Sequence, residues 1–155
     1  MQTDVATEIR VAVQTAEFDQ SAVYQWLSEP KSSGAVVLFI GKVREMNLGD
    51  SVEKLYLEHY PAMTEKALNE IVAQACQRWE MRRVQLIHRV GELQTGDEIV
   101  LVGVSCKHRG DAYQANEFIM DYLKTQAPFW KKELTDNGER WIEERASDKL
   151  AAEKW

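Results

Sequence analysis

The residues of this chain best suited to chemistry are cations placed at the ends of elements. Lys42 and Arg44 close an apolar stretch, Ala35–Val43. Lys107, His108 and Arg109 follow a second, Glu98–Cys106, and run straight into a helix start, while Lys124 and Lys131 stand on either side of Pro128. Guanidinium groups grip phosphate as a bidentate fork, and a helix start adds backbone N–H groups aimed at an anion. A lysine can serve as acid, base or charge stabiliser. Spacing alone leaves a second reading open, in which Lys124 meets a helix dipole and Lys131 pairs with Glu144 at the surface.

Other chemistries find less support. His59, His88 and His108 are scattered, Cys76 and Cys106 lie thirty positions apart, and neither Cys-x-x-Cys nor His-Glu-x-x-His occurs, so no metal site is expected. His88 shares a strand face with Val84 and Leu86 and reads as a hydrogen-bonded core residue. Gly41-Lys42 fails as a phosphate loop, because Val36 and Val43 occupy the positions that need glycine and Ser or Thr. There is no Gly-x-Ser-x-Gly elbow. Cys106-x-His108 could pair a thiol with a base, but Cys106 ends an apolar strand and reads as structural.

The elements that must position the cations follow from hydrophobic period. Glu8–Val13 alternates as an edge strand, Phe18–Leu27 has helical spacing, and Glu29–Gly34 is a loop. Ala35–Val43, apolar on both faces, reads as a buried strand; Glu45–Ser51 reads as an exposed loop and Val52–Tyr60 as a strand antiparallel to Ala35–Val43. Pro61 opens a helix that buries Leu68, Ile71, Val72, Ala75 and Trp79. Arg83–Val90 and Glu98–Cys106 are strands about a turn at Thr95-Gly96-Asp97. Asp111 and Gln114 have capping-box spacing, and the helix they open buries Ala115, Phe118, Ile119, Tyr122 and Leu123 before stopping near Gln126, ahead of Pro128. Asn137-Gly138 suits a type I′ hairpin, which would set Leu134 opposite Trp141, Lys131 opposite Glu144 and Trp130 opposite Arg145. Ser147 could cap a last short helix. Helices and strands mix without strict alternation, so an α+β fold is expected, as one domain over 1–155.

Composition sets the outer limits. The 155 residues are 45% hydrophobic and 28% charged, with a net charge of −6, which fits a folded globular chain and disfavours non-specific binding of nucleic acid or anionic lipid. The longest uncharged apolar runs fall far short of the roughly 18 residues of a spanning helix, and Met1–Asp4 lacks the features of a secretory signal. A cytoplasmic protein with reduced cysteines is expected.

Several segments together resemble one family. They are Phe39-Ile40-Gly41-Lys42-Val43-Arg44, Leu57-Glu58-His59-Tyr60-Pro61-Ala62-Met63, His88-Arg89-Val90-Gly91-Glu92-Leu93, Gly96-Asp97-Glu98, His108-Arg109 and the long run Phe118–Glu133 with its Met-Asp-Tyr-Leu-Lys-Thr and Pro-Phe-Trp-Lys cores. The chain resembles the large, catalytic subunit of molybdopterin synthase, the MoaE family, from about Gly34 to Trp155. The resemblance implies an α/β-hammerhead-type fold with a mostly antiparallel sheet and a C-terminal hairpin. It implies a homodimer, with a small ubiquitin-like subunit at each end to make a heterotetramer. The implied reaction moves sulfur from that partner's C-terminal Gly-Gly thiocarboxylate to cyclic pyranopterin monophosphate, twice, forming the dithiolene of molybdopterin. No cofactor is implied, since molybdenum is inserted later by other proteins. By the same carry-over Lys124 and Lys131 are the catalytic residues, with Lys124 beside the tail's last carbonyl and Lys131 beside the pterin. Phe39, Arg44, His108, Arg109, Met120 and Arg145 line the pocket, with Arg44, His108 and Arg109 on the phosphate and Arg109 suspected to be shared across the dimer. The competing reading is a non-catalytic module that binds a phosphorylated small molecule with the same cations. Binding of single-stranded nucleic acid is opposed by the net charge.

Overall fold

A computed structural model describes residues 6–142 and 146–155. In chain order the strands and helices are β1 Glu8–Gln14, α1 Gln20–Ser28, β2 Ala35–Lys42, β3 Met46–Asn47, β4 Asp50–His59, α2 Pro61–Arg78, β5 Met81–Arg89, β6 Gly91–Gln94, β7 Glu98–Cys106, α3 Arg109–Gln126, β8 Phe129–Thr135, β9 Gly138–Ile142 and α4 Ala146–Glu153. Two sheets result. The first has the order β1-β5-β7-β2; the second runs β3-β4-β8-β9, with β6 also paired to β4. Only β1 with β5 is parallel among the described pairs. The expected α+β class, mostly antiparallel with a hairpin near the C-terminus, is what the chain forms.

The first sheet is covered on both faces, which explains why β7 is apolar on both faces. On one face α2 and α3 pack Leu68, Ile71, Ala115, Phe118 and Ile119 onto Val84, Leu86, Val102 and Val104. On the other, α1 sets Val23, Trp26 and Leu27 against Ile87 and Leu101. Contact there is so close that a Cβ on Gly103 would stand 2.5 Å from a methyl of Leu27. A smaller core of Val43, Val52, Leu55, Leu57, Val90 and Leu93 lies under the second sheet.

Several expectations need correction. The strand Ala35–Val43 is not buried on both faces: β2 is the sheet's edge, half-buried along most of its length, with Phe39 40% exposed. Nor is β4 its partner. β2 pairs with β7, whereas β4 joins β6 and β8 in the second sheet, where its alternating pattern leaves one face in solvent. Glu45–Ser51 is not a bare loop, since Met46 and Asn47 pair with Ser51 and Asp50 around Leu48 and Gly49. Both turn residues have positive φ, the type I′ geometry.

The capping box at Asp111 does not form. Helix α3 already begins at Arg109, with His108 as N-cap and Ala112 N donating to His108 O, so Asp111 sits inside the first turn. Gln114 instead accepts from the Trp79 indole. The C-terminal hairpin slips by two residues. Thr135 faces Gly138, Leu134 faces Glu139 and Lys131 faces Ile142. A type I′ turn on Asn137-Gly138 needs positive φ at both, and of the two only Gly138 has it. The turn therefore moves back to Asp136-Asn137, held by the Thr135 hydroxyl, which accepts from Asn137 N and donates to Gly138 O. The expected pairings of Glu144 and Arg145 lie outside the described residues. Ser147 falls within α4 rather than ahead of it.

Candidate active site

Pro128 creates the junction on which the site is built. Ala127, ahead of it, takes an extended conformation (ψ 132°), so α3 stops at Gln126 and β8 starts at Phe129. The last turn of the helix then presents Lys124, which is exposed, and the new strand presents Lys131, half-buried. Lys131 lies opposite Leu57 on the inner face of the second sheet, two residues beyond Phe129, which lies opposite His59. Phe129 stacks on the imidazole of His88 from β5, with ring centroids 3.9 Å apart and planes 20° apart.

His88 reports how close the two lysines come. Burial pushes its pKa down to about 3, and Lys131, Lys124 and His59 each oppose a further positive charge there. Only its hydrogen bond to the Arg89 carbonyl, 2.8 Å from Nδ1, acts the other way. Thus α3, β4, β5 and β8 bring two ammonium groups to an uncharged aromatic floor.

The rest of this end follows from rise per residue. Asn116, buried on α3, donates to the carbonyls of Val37 and Val102 and fixes the helix over β2 and β7. One turn beyond it comes Met120, about 6 Å along the helix, and two residues beyond Val37 comes Phe39, about 7 Å along the strand. Phe39 lies opposite Val102, on the α3 side of the sheet. Phe39 and Met120 therefore stand at one level, with Lys124 a turn further on.

Arg44, just past β2, reaches Asn47 at 3.5 Å; Asn47 donates to Glu133 at 2.8 Å, and Glu133 is two residues from Lys131 on β8. The Glu133 carboxylate is 5% exposed and also meets Arg140, which pairs with Asp50. Arg44 is thereby linked to β8, while Phe39, Met120, Lys124 and Lys131 are brought to the C-terminal end of α3.

His108 and Arg109 are not. They occupy the N-cap and first position of α3, fifteen or more residues before Lys124, or about 23 Å along the axis. One chain does not unite the expected phosphate ligands. Arg145 lies outside the described residues.

A cavity of about 250 Å³ lined by Glu58, His59, Tyr60, Trp130 and Trp141 opens in the second sheet, with neither lysine in its wall. Glu58 lies opposite Trp130 and Lys132 opposite Trp141, which puts these walls on the solvent face. Cys106 is buried, its thiol pushed up to about 12 by burial and then by Asp111, so it is no nucleophile at neutral pH. Among the described residues no three His, Cys, Asp or Glu side chains gather as metal ligands.

The sequence reading found His88 as a hydrogen-bonded core residue but not its stack on Phe129. It missed Asn116 and Glu133 as supports of the site. No local pattern links residues forty positions apart.

Residues 13–126 match the family described as MoaE protein. A molybdopterin synthase catalytic subunit from Haemophilus influenzae is 74% identical over 149 residues, covering 96% of this chain and 99% of that relative. Among solved structures, the molybdopterin biosynthesis MoaE protein from Burkholderia ambifaria has a TM-score of 0.80 at 47% identity, covering 95% of this chain and 97% of that one. A molybdopterin synthase from Staphylococcus aureus has a TM-score of 0.77 at 35% identity, covering 88% and 96%.

Proposed function

Because the chain belongs to the MoaE family, we propose that it is the catalytic subunit of a molybdopterin synthase. It takes sulfur from the C-terminal Gly-Gly thiocarboxylate of a small ubiquitin-like partner and transfers it to cyclic pyranopterin monophosphate, building the dithiolene in two rounds. The observation that carries this reading is the meeting of Lys124 and Lys131 at the α3–β8 junction, over the neutral His88–Phe129 stack. Both reactants are anions and the chain's net charge is −6, so a local cationic site is what lets them meet.

In this reading the partner's tail ends beside Lys124, which exchanges a proton there as sulfur leaves the last carbonyl. Lys131 faces the pterin and serves as acid or base in its ring chemistry. Phe39 and Met120 form the apolar wall, while Arg44, with His108 and Arg109, holds the phosphate. The sulfur comes with the partner, so a buried, protonated Cys106 is no obstacle. No described helix is long and apolar enough to cross a membrane, and a reaction between two soluble reactants fits the cytoplasm.

The reading includes a homodimer, and the same geometry supports it. The β2 edge runs Ala35–Gly41 without a charge or a proline, and no described strand pairs with its outer side; such edges invite pairing. Eight residues of strand span about 27 Å. A second copy laid antiparallel along β2 would exchange its ends and bring that copy's His108 and Arg109 to Arg44, Lys124 and Lys131. Partner subunits at the two far ends complete a heterotetramer.

The test is sulfur transfer from purified thiocarboxylated partner to the cyclic pterin, scored as dithiolene product. Lys124→Ala and Lys131→Ala should each bind both reactants and fail to turn over. Wild-type protein that binds both and forms no product would overturn the enzyme reading in favour of a binding module.

A further inference from the structure

His88 lies beneath the lysine site and has no part in the scheme above. Its Nδ1 is 2.8 Å from the Arg89 carbonyl oxygen. A carbonyl only accepts, so Nδ1 bears the hydrogen and Nε2 the lone pair. The ring is 3% exposed. The titratable groups that act on it come from three elements: Lys131 on β8, Lys124 on α3 and His59 on β4. All would resist a proton on His88, and burial resists it more. An imidazole held in this way exchanges no protons near neutral pH; its use is to hold a shape.

The shape it holds joins the two sheets. His88 belongs to β5 of the first sheet, whereas Phe129 belongs to β8, which among the described strands pairs only with β4 and β9 in the second. Phe129 follows Pro128, which has no N–H to anchor it, and the Phe129 N–H itself bonds locally to the Ala127 carbonyl. The stack on His88 is thus the ring-on-ring contact that, beside the packing of Phe129 against the apolar core, ties the first residue of β8 to the first sheet. Lys131 leaves the same face of β8 two residues later.

Resting on the reading of Lys131 as a catalytic residue, we propose that His88 is its positioning residue: an aromatic platform on the first sheet that seats Phe129 of the second and so fixes where Lys131 meets the pterin. A displacement near 1 Å of a reacting group can cost about a hundredfold in rate.

The experiment compares two variants that both lose the Nδ1–H bond and differ in the ring. In single-turnover sulfur transfer, His88→Leu, which fills the space without a ring, should be at least about tenfold slower, with half-saturating pterin within about threefold of wild type. His88→Phe, which keeps the stack, should return to within about threefold of wild type and show the same pH–rate profile. His88→Leu at wild-type rate, His88→Phe as slow as His88→Leu, or a limb lost from the His88→Phe profile would each overturn the proposal, the last by making His88 a proton carrier.

Should the variants fold poorly, ¹⁵N-histidine NMR of the wild-type protein decides. The Nδ1–H tautomer persisting down to about pH 5 supports the platform, and an Nε2–H tautomer or protonation above that pH refutes it. Lys131→Ala run alongside separates the two failures. A wild-type rate there defeats the assignment of Lys131 itself, whereas a slow Lys131→Ala with a fast His88→Leu defeats only the role of His88.

Discussion

Mixing two inactive variants should restore activity if the phosphate ligands and the lysines come from different copies of the chain. Arg109 and Lys124 stand at opposite ends of α3, about 23 Å apart along its axis. Each side chain reaches about 6–7 Å from its Cα, given bond lengths near 1.5 Å. Even stretched toward each other, their head groups stay about 10 Å apart, too far to meet on one phosphate within a chain. In an antiparallel pair along β2, each site takes Lys124 from one copy and Arg109 from the other.

Lys124→Ala and Arg109→Ala homodimers should then each have two damaged sites. A mixed dimer has one site with both changes and one with neither. Equal amounts allowed to re-equilibrate make about half mixed dimers, so turnover should recover to about a quarter of wild type. The assay is dithiolene formation with saturating thiocarboxylated partner, before and after subunit exchange. Recovery near zero, with mixed dimers demonstrated by mass spectrometry, would refute the shared site and the β2 pairing with it.

Three further outcomes follow from particular residues. His88 stays neutral in the fold down to about pH 3, while in the unfolded chain it protonates near its ordinary 6.5; the unfolded state binds the extra proton between these values, so stability is intact above 6.5 and falls as pH falls. By pH 4 the loss from this group is about 3 kcal/mol at most, read as a steeper acid decline in urea melts of wild type than of His88→Phe. Cys106→Ala should leave sulfur transfer near wild type, and iodoacetamide at neutral pH should leave Cys106 unlabelled by mass spectrometry, because its thiol sits at about 12. Glu133→Gln weakens the bonds that tie Asn47 and Arg140 to β8, so it should cost about 1–3 kcal/mol in denaturant stability and raise the KM for the pterin, with partner affinity unchanged.

What the sequence disclosed, and what it did not, divides by range. Period and turn chemistry located α2, α3, β5 and β7 because each buries a face whose residues are neighbours in the chain. Pro128 marked the α3–β8 junction for the same local reason. Pairing was harder. β2 and β4 follow one another, and only the second sheet's separate core of Val52, Leu55, Leu57 and Leu93 decides that β4 belongs elsewhere. The Asn-Gly pair pointed to a hairpin but misplaced its turn by one residue, since a threonine hydroxyl can stabilise the alternative. The lysines were legible through the family's motif. The His88–Phe129 stack and the Asn47–Glu133 bond were not, being contacts between elements that only the folded chain brings together.

The central claim is that a lysine at the α3–β8 junction takes part in sulfur transfer rather than merely balancing charge. Lys124→Arg tests it most directly, since arginine keeps the positive charge but stays protonated to a pH above about 12 and replaces a compact ammonium with a planar fork. The measurement is the single-turnover rate of sulfur transfer from the thiocarboxylated partner, with partner affinity determined in parallel. The account predicts a rate at least about a hundredfold below wild type, in the range general acid–base catalysis contributes, and an affinity within a few-fold. A Lys124→Arg enzyme that turns over at nearly the wild-type rate would contradict it.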